Sequence, residues 1–353
     1  MNHPTSQPAP HPTSEVSAQP HAVGQQRRQT LRLMALTAAQ WCLAGPVVMR
    51  DAWALAPVAD AQPLKLLRIG YQKSAVNLVV VKQTRALEKR YPDAKITWLE
   101  FPAGPQLLEA LATGSLEFGL TGDSPPVFAQ AAGKDLLYVG AEPPKPKSSA
   151  ILVLKDSPVQ TVADLKGRKV ALQKGSSAHF LLVRAVEKAG LAWADIQPVY
   201  LAPADARAAF ERGSVDAWAI WDPFYAVTEL ALPTRVLTTG EGLSGNNSFY
   251  LASRALVTQH PAVLDALFDE LTLADRFVQQ QRPAAIKLIA DFAGLDAGVV
   301  SLFLQRRPES PVKPLQPATE ADQQRVADAF ARLNLIPKPV KVSEVVWRGN
   351  LKK

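Results

Sequence analysis

From residue 66 onward, short apolar runs alternate with longer segments of helical character. The short runs predict buried strands, and the longer segments predict helices that cover them. In chain order the predicted elements are a strand at 66–71, a helix at 75–90, a strand at 95–101, a helix at 106–113 and a strand at 116–120. Alternation of this kind is typical of an α/β fold with a parallel sheet and helices on its faces.

The same order of elements begins again near residue 161. It comprises a short helix at 161–165, a strand at 169–173, a helix at 176–189, a strand at 198–200, a helix at 204–212 and a strand at 215–220. Gly114-Ser115 and Gly213-Ser214 each precede an apolar–acidic pair, and Asp123 and Asp222 follow them at the same interval. The two parts therefore read as versions of one unit, with a chance match of common turn residues as the alternative.

Two extended segments, 148–154 and 248–253, could join the repeated parts, and the chain is mostly helical from residue 261 to about 333. This order predicts two lobes joined by a hinge that the chain crosses twice. We expect lobe one to contain 62–154 and 248–353, and lobe two to contain 155–247. Each lobe should hold a helix-flanked sheet that is parallel or mixed.

The first 61 residues have the layout of a signal peptide. Arg27, Arg28 and Arg32 precede an uncharged run from 33 to 49 that is too short for a membrane anchor. We expect cleavage after Ala61, because Pro57 obstructs the earlier small-residue site that ends at Ala56. The leader fits the general secretory route or the twin-arginine route, so the protein should be exported to the periplasm.

The predicted leader contains every sulfur atom of the chain, in Met1, Met34, Cys42 and Met49. The absence of Cys and Met after Ala61 excludes disulfides, thiol catalysis and cysteine metal sites from the exported part. Two explanations stay open. One is avoidance of side chains that oxidise outside the cytoplasm; the other is economy in a protein made in bulk when sulfur is scarce.

The basic excess of the exported part is modest. Four basic and three acidic residues lie in the leader, so the net charge falls from +7 to +6 on its removal. Basic residues neither cluster nor alternate with aromatic ones, which argues against a nucleic-acid partner. Attraction of small anions is the simpler interpretation.

The segment around Gly175 predicts a site for an oxyanion. A strand at 169–173 breaks at Gly175 and restarts at once as a helix that begins with Ser176 and Ser177. Free N–H groups at a helix start, the positive end of the helix dipole and serine hydroxyls all favour a bound anion. Gly175 would let the backbone approach closely, although Ser177 could equally be an ordinary helix cap.

Three further loops should lie beside this turn, since ligands of α/β sheets bind beyond the carboxyl ends of the strands. Their candidate residues are Gln72, Lys73, Ser74, Gly122, Asp123, Ser124 and Trp221. Asp123 and Asp222 stand beside prolines that can start helices, so we expect their carboxylates to accept hydrogen bonds from backbone N–H groups. Trp218 should lie in the core, whereas Trp221 could form an apolar wall beside a ligand.

Candidate catalytic groups are scarce. Only His179 and His260 follow the leader, on separate predicted helices, so no nucleophile–base pair or metal cluster can be recognised. His179 could line the cleft or lie on an exposed helix face. Lys73 and Lys174 could add positive charge to the site or be solvated loop lysines.

Several motifs together resemble the family of periplasmic aliphatic sulfonate-binding proteins, the receptors of ATP-driven sulfonate importers. They are RIGYQKSAVNLVV, FPAGPQLLEAL, FGLTGDSPPVFAQAAG, VGAEPPKPKSSAILV, TVADLKGRKVALQKGSS, PADARAAF and VDAWAIWDPFY. The resemblance runs from about residue 66 to 347 and is looser at 231–247 and in the C-terminal helices.

The resemblance implies a type II periplasmic binding fold whose lobes close on an alkanesulfonate. It also implies delivery of the ligand to an ABC-type permease with its ATPase. Apart from the resemblance, we expect a monomer with no cofactor or metal and no enzymatic activity. Carried onto this sequence, the expected ligand residues lie in the ranges 72–74, 122–124 and 175–177, together with Ser148 and Trp221.

Other ligands and a different class of protein also fit these patterns. The same fold could bind taurine, nitrate or a thiamine-precursor pyrimidine, and taurine would be favoured if Asp123 or Asp222 turned into the cleft. An α/β enzyme of the transferase type is the alternative from another class.

Overall fold

The computed structural model describes residues 62–349, and its strands form two five-stranded sheets. The strands are β1 Leu66–Tyr71, β2 Lys95–Glu100, β3 Phe118–Gly122, β4 Leu137–Glu142, β5 Ser149–Leu154, β6 Lys169–Leu172, β7 Gln197–Tyr200, β8 Ala217–Trp221, β9 Thr234–Thr239 and β10 Ser248–Ala252. One sheet has the order β2-β1-β3-β10-β4 and the other β7-β6-β8-β5-β9. We call the parts built on these sheets lobe one and lobe two.

Helices flank both sheets. They are α1 Val76–Thr84, α2 Ala86–Arg90, α3 Gly104–Ala112, α4 Ser124–Ala131, α5 Ser177–Lys188, α6 Pro203–Glu211, α7 Phe224–Ala231, α8 Arg254–Gln259, α9 Pro261–Gln280, α10 Arg282–Ala293, α11 Ala297–Gln305 and α12 Pro317–Arg332. The single helix predicted at 75–90 is two helices, because Arg85 adopts a left-handed conformation with φ of 52°. None of the helices between residues 62 and 349 is long and apolar enough to span a membrane.

The two sheets are built in the same way. In each, three strands pair in parallel order, and the fourth position is taken by a strand that runs antiparallel to its neighbours, β10 or β5. Gly114 and Gly213 both have positive φ, at 72° and 65°, and each lies between a helix and the central strand of its sheet. The repeated turn sequence thus occupies equivalent places in the two lobes, and the α/β class with mixed sheets is confirmed.

The chain passes between the lobes at 143–148 and at 240–247, between β4 and β5 and between β9 and β10. The two crossings are hydrogen-bonded to each other, from Lys145 N to Gly245 O at 2.7 Å and from Gly240 N to Pro146 O at 2.9 Å. The sequence placed 149–154 in lobe one, but this strand pairs with β8 and β9 in lobe two. The apolar sequence of a strand indicates that the strand is buried. It does not indicate which of two sheets the strand joins.

Apolar side chains fill both faces of the lobe-one sheet and the interior of lobe two. Trp218 is fully buried in lobe two, as predicted. Apolar clusters also cross between the lobes: Phe180 and Val183 of α5 share a cluster with Phe330 of α12 and with residues of the lobe-one sheet, and Ala226 of α7 belongs to the other lobe-one cluster. The lobes therefore share packed surface as well as two chain crossings.

Candidate functional site

A small cavity lies between the lobes, where the carboxyl ends of β1 and β3 in lobe one face that of β8 in lobe two. Its volume is about 60 Å³. The lining residues are Gln72, Ser74, Val76, Gly104, Leu120, Gly122, Pro125, Lys145, Ser148, Ser176, Ser177, Trp221, Asp222, Asn246, Ser248, Phe303 and Arg307. Loops distant in sequence thus meet at one place, in the manner of ligand sites in other α/β folds.

Seven of the eleven ligand residues predicted from the sequence line this cavity: Gln72, Ser74, Gly122, Ser148, Ser176, Ser177 and Trp221. Gly122 of lobe one and Ser177 of lobe two approach each other very closely. A Cβ atom added to Gly122 would lie 1.9 Å from Ser177 Oγ. A side chain at this position would collide with the Ser177 side chain at the start of the facing helix.

Four other predicted residues lie outside the lining. Lys73 Nζ donates to the carbonyl oxygen of Ala293 at 3.0 Å, and Gly175 lies against the ring of Phe128. Asp123 is buried, and its Oδ1 atom accepts a hydrogen bond from Ser124 Oγ at 2.9 Å. Asp123 forms part of the wall of a neighbouring cavity instead.

Two of the donors expected at the 174–177 turn are used within the protein. Gly175 N donates to His179 Nδ1 at 3.2 Å, and Ser176 Oγ donates to the carbonyl oxygen of Gln173 at 2.8 Å. Gly175 has a φ of 72°, a left-handed conformation that glycine adopts without steric cost. Helix α5 begins at Ser177, and His179 N donates to the carbonyl oxygen of Ser176 at 2.9 Å, which leaves the N–H groups of Ser177 and Ala178 without an intrahelical acceptor. These N–H groups are the donors that the turn offers to the cavity.

Two buried cations, Lys145 and Arg307, also line the cavity, and neither was predicted from the sequence. Lys145 Nζ donates to Glu142 Oε2 at 3.0 Å and to Ser248 Oγ at 2.8 Å. Arg307 Nη1 donates to Asp275 Oδ1 at 3.1 Å, and its Nη2 atom lies 3.5 Å from Glu142 Oε1. A lysine between two prolines and an arginine in a loop after α11 carry no local signal of burial.

Burial shapes the ionisation of this cluster. It lowers the pKa of Lys145, and Glu142 acts in the opposite direction. For Glu142, burial would raise the pKa, but Lys145 and Arg307 outweigh it and hold the pKa below its usual value. Arg307 Nη2 has no hydrogen-bond partner within residues 62–349. The cluster therefore presents positive N–H donors to the cavity with the carboxylates behind them.

Asp222 lies on the lobe-two wall and also caps a helix, as predicted. Its Oδ1 atom accepts from Ala226 N at 3.0 Å and from Arg306 Nη1 at 3.2 Å. Burial raises the pKa of Asp222 to about 7, although Arg306 acts in the opposite direction. The Oδ2 atom has no hydrogen-bond partner in the described part of the chain.

Apolar side chains complete the cavity, and they come from both lobes. Trp221 is buried against Phe224, with ring centroids 6.1 Å apart. Val76, Leu120 and Phe303 contribute from lobe one. The cavity thus combines hydrogen-bond donors and positive charge with an apolar surface. Between residues 62 and 349, no three His, Cys, Asp or Glu side chains are grouped so that they could hold a metal ion.

Comparison with known proteins places the chain in a family. A family model described as NMT1/THI5 like matches residues 97–272. A relative from Escherichia coli (strain K12), whose name describes an aliphatic sulfonates-binding protein, is 51% identical over 293 residues, which are 83% of this chain and 92% of the relative.

Two solved structures are also similar. The alkanesulfonate-binding protein SsuA from Xanthomonas axonopodis pv. citri, bound to MOPS, is 50% identical with a TM-score of 0.79, over 82% of this chain and 100% of that one. The periplasmic aliphatic sulphonate binding protein SsuA from Escherichia coli is 51% identical with a TM-score of 0.75, over 82% and 94% of the two chains. This chain therefore belongs to the family of aliphatic sulfonate-binding proteins.

Proposed function

We propose that this protein captures aliphatic sulfonates in the cavity between its lobes and delivers them to an ABC importer for sulfur acquisition. The observation that carries the proposal is the cavity itself, in which buried cations and hydrogen-bond donors meet apolar side chains. This combination suits a ligand that has an anionic head and a hydrocarbon tail.

The chemistry of the head group matches the donors. A sulfonate stays ionised at physiological pH and offers three acceptor oxygens, so its site needs donors and no acceptor. Arg307 Nη2, Lys145 Nζ and the N–H groups at the start of α5 meet that need. Charge-assisted hydrogen bonds contribute roughly 1.5–3 kcal/mol each, so three or four suffice for micromolar binding after the cost of association.

A ligand that accepts hydrogen bonds from both lobes should stabilise the closed form of the protein. Arg307 belongs to lobe one, whereas Ser177 begins a helix of lobe two. A ligand held by both stabilises the closed arrangement through contacts that an open arrangement lacks. The permease can then distinguish loaded receptor from empty receptor.

The family supports a proposal for the cellular context. We infer that residues 1–61 direct export, that the receptor works in the periplasm as a monomer, and that it binds without turnover. The cleavage site after Ala61 lies outside the described residues. The boundaries of the two lobes, at the crossings 143–148 and 240–247, are likewise part of the proposal.

One observation favours a second ligand, taurine. Asp222 lines the cavity and has a carboxylate oxygen without a hydrogen-bond partner among residues 62–349. That oxygen could accept from the ammonium group of a short aminosulfonate. Arg306 and the Ala226 N–H already occupy the other oxygen, which leaves a single acceptor for such a ligand.

The test is a binding panel on the protein purified after export. Thermal shift and calorimetry would compare alkanesulfonates of increasing chain length with taurine, sulfate, nitrate and a thiamine-precursor pyrimidine. We expect alkanesulfonates to raise the Tm and to bind most tightly. Stronger binding of any other ligand, or conversion of an alkanesulfonate to product detected by NMR, would contradict the proposal.

A further inference from the structure

Arg306 joins the two lobes at the edge of the cavity. It follows α11 in lobe one, and its side chain reaches three residues of lobe two. Nη1 donates to Asp222 Oδ1 at 3.2 Å, Nη2 pairs with Glu229, and the guanidinium carbon lies 3.7 Å from the centre of the Tyr225 ring. The Arg306 guanidinium of lobe one thus contacts two carboxylates and one aromatic ring of lobe two.

The same residue contacts the wall of the cavity at two points. Asp222 lines the cavity, and Ser148, another lining residue, donates from Oγ to the carbonyl oxygen of Arg306 at 3.4 Å. The next residue in the chain is Arg307, which also lines the cavity. Movement of lobe two away from lobe one would therefore break the Arg306 contacts at the point where the ligand site opens.

Burial distinguishes this contact from a second ion pair between the lobes. Arg332 of lobe one pairs with Glu187 of lobe two at 2.6 Å, but its side chain is 58% exposed. The Arg306 side chain is 13% exposed and that of Asp222 is 5% exposed. Exposed pairs are screened by solvent and contribute little, whereas charge-assisted hydrogen bonds of a buried arginine are stronger. Arg306 should therefore act as the stronger restraint.

We propose that Arg306 is a positioning residue that holds the lobes together over a bound ligand and thereby sets the rate of ligand release. The proposal rests on the proposed function only for the identity of that ligand. Since Arg306 contacts the cavity wall and does not line the cavity, it should slow the release of every sulfonate by a similar factor.

Release kinetics give the first test. In stopped-flow measurements with Trp fluorescence, R306A should raise koff for ethanesulfonate and for a longer alkanesulfonate by about tenfold each, with kon changed much less. R306K keeps the charge but loses the planar fork, so its koff should lie between those of R306A and the wild type. Unchanged koff in a folded R306A protein, or a change confined to one of the two ligands, would overturn the proposal.

Arg90 offers a matched control within lobe one. It pairs with Asp269 at 3.1 Å and with Glu270 at 3.3 Å, so R90A also removes an arginine from two carboxylates. We expect R90A to release ligand at the wild-type rate. If R306A does not fold, E229Q removes one carboxylate from the lobe-two side and should raise koff by about threefold.

A measurement of lobe separation needs no sulfonate. The exported part of the chain has no cysteine, so Gln83→Cys in lobe one and Arg212→Cys in lobe two, both exposed positions, can be spin-labelled specifically. Pulsed electron paramagnetic resonance should show more of the long-distance population in R306A than in the wild type. Identical distance distributions would overturn the proposal. A wild-type protein that binds no sulfonate would overturn the proposed function, and the distance measurement would still decide the role of Arg306.

Discussion

The Nδ1 atom of His179 accepts a hydrogen bond from the backbone N–H of Gly175 at 3.2 Å. His179 is fully buried, and its ring packs against Phe128, Trp193 and Phe330 with centroid distances of 5.8, 5.1 and 5.0 Å. Burial lowers the pKa of His179 to about 3, and the charge of Lys174 acts in the same direction. A neutral histidine therefore holds the turn that leads to Ser176 and Ser177.

His179 predicts a specific loss of stability in acid. The unfolded imidazole has a pKa of about 6.5, so between that pH and about pH 3 the unfolded state binds the extra proton. The free energy of unfolding should fall as pH drops, by about 2 kcal/mol between pH 8 and pH 5. Urea unfolding of wild type and H179Q should show this component only in the wild type. The same pH dependence in both proteins would contradict the assignment.

Substitution of Gly122 should weaken binding without unfolding the protein. A methyl group at this position would meet Ser177 Oγ, so G122A should force the lobes apart. We expect affinity for ethanesulfonate to fall about tenfold, in line with an overpacking cost of about 1–3 kcal/mol, with a small change in Tm. Calorimetry of G122A, S177A and the double variant tests the cause. The double variant should bind more tightly than G122A if the collision with the hydroxyl group is responsible.

The serines at the start of α5 should support affinity, Ser177 by lining the cavity and Ser176 by holding the turn through its hydrogen bond to the carbonyl oxygen of Gln173. Removing both hydroxyls in S176A/S177A is expected to weaken sulfonate binding roughly tenfold, which is about 1.4 kcal/mol. Ser115 is an exposed serine outside the cavity, so S115A is a matched control that should bind as the wild type does. Unchanged affinity of the double variant in calorimetry would remove these hydroxyls from the site.

Lys145 should matter both for binding and for stability. K145Q would leave Glu142 buried without its closest cation, and breaking a buried ion pair typically costs about 3 kcal/mol or more. Denaturant unfolding should show this loss, and E142Q introduced together with K145Q should recover part of it. Calorimetry should show weaker sulfonate binding in both variants, since neither has the Lys145 charge. Recovery of wild-type affinity in the double variant would argue that Lys145 acts only on stability.

Local structure could be predicted well from the sequence. The strand expected at 66–71 has those bounds in the structure, and the helix expected at 176–189 forms α5. These elements are encoded by neighbouring residues, since apolar runs and turn residues act over a few positions. The break at Arg85 was not predicted, because a positive φ at a residue other than glycine has no clear sequence signal.

The position of the candidate site could also be predicted from the sequence, but the hydrogen-bond partners of its side chains could not. Loops that end the central strands of an α/β sheet must lie at one edge, which is why Ser74, Gly122 and Trp221 could be placed together. The sequence could not show that His179 takes the Gly175 N–H, or that Lys73 turns away to Ala293. Which partner a donor chooses depends on the side chains that the fold brings next to it.

The sequence by itself determined the elements, the repeated order within the two lobes and the helix start that faces the cavity, because those features depend on residues close together in the chain. Only the tertiary structure decided that β5 joins lobe two and that Arg307 and Lys145 supply positive charge to the cavity. Lys145 and Ser248 are 103 positions apart, yet their side chains are hydrogen-bonded at 2.8 Å. Contacts over that separation exist only after both sheets have formed, since the fold alone brings the two chain crossings side by side.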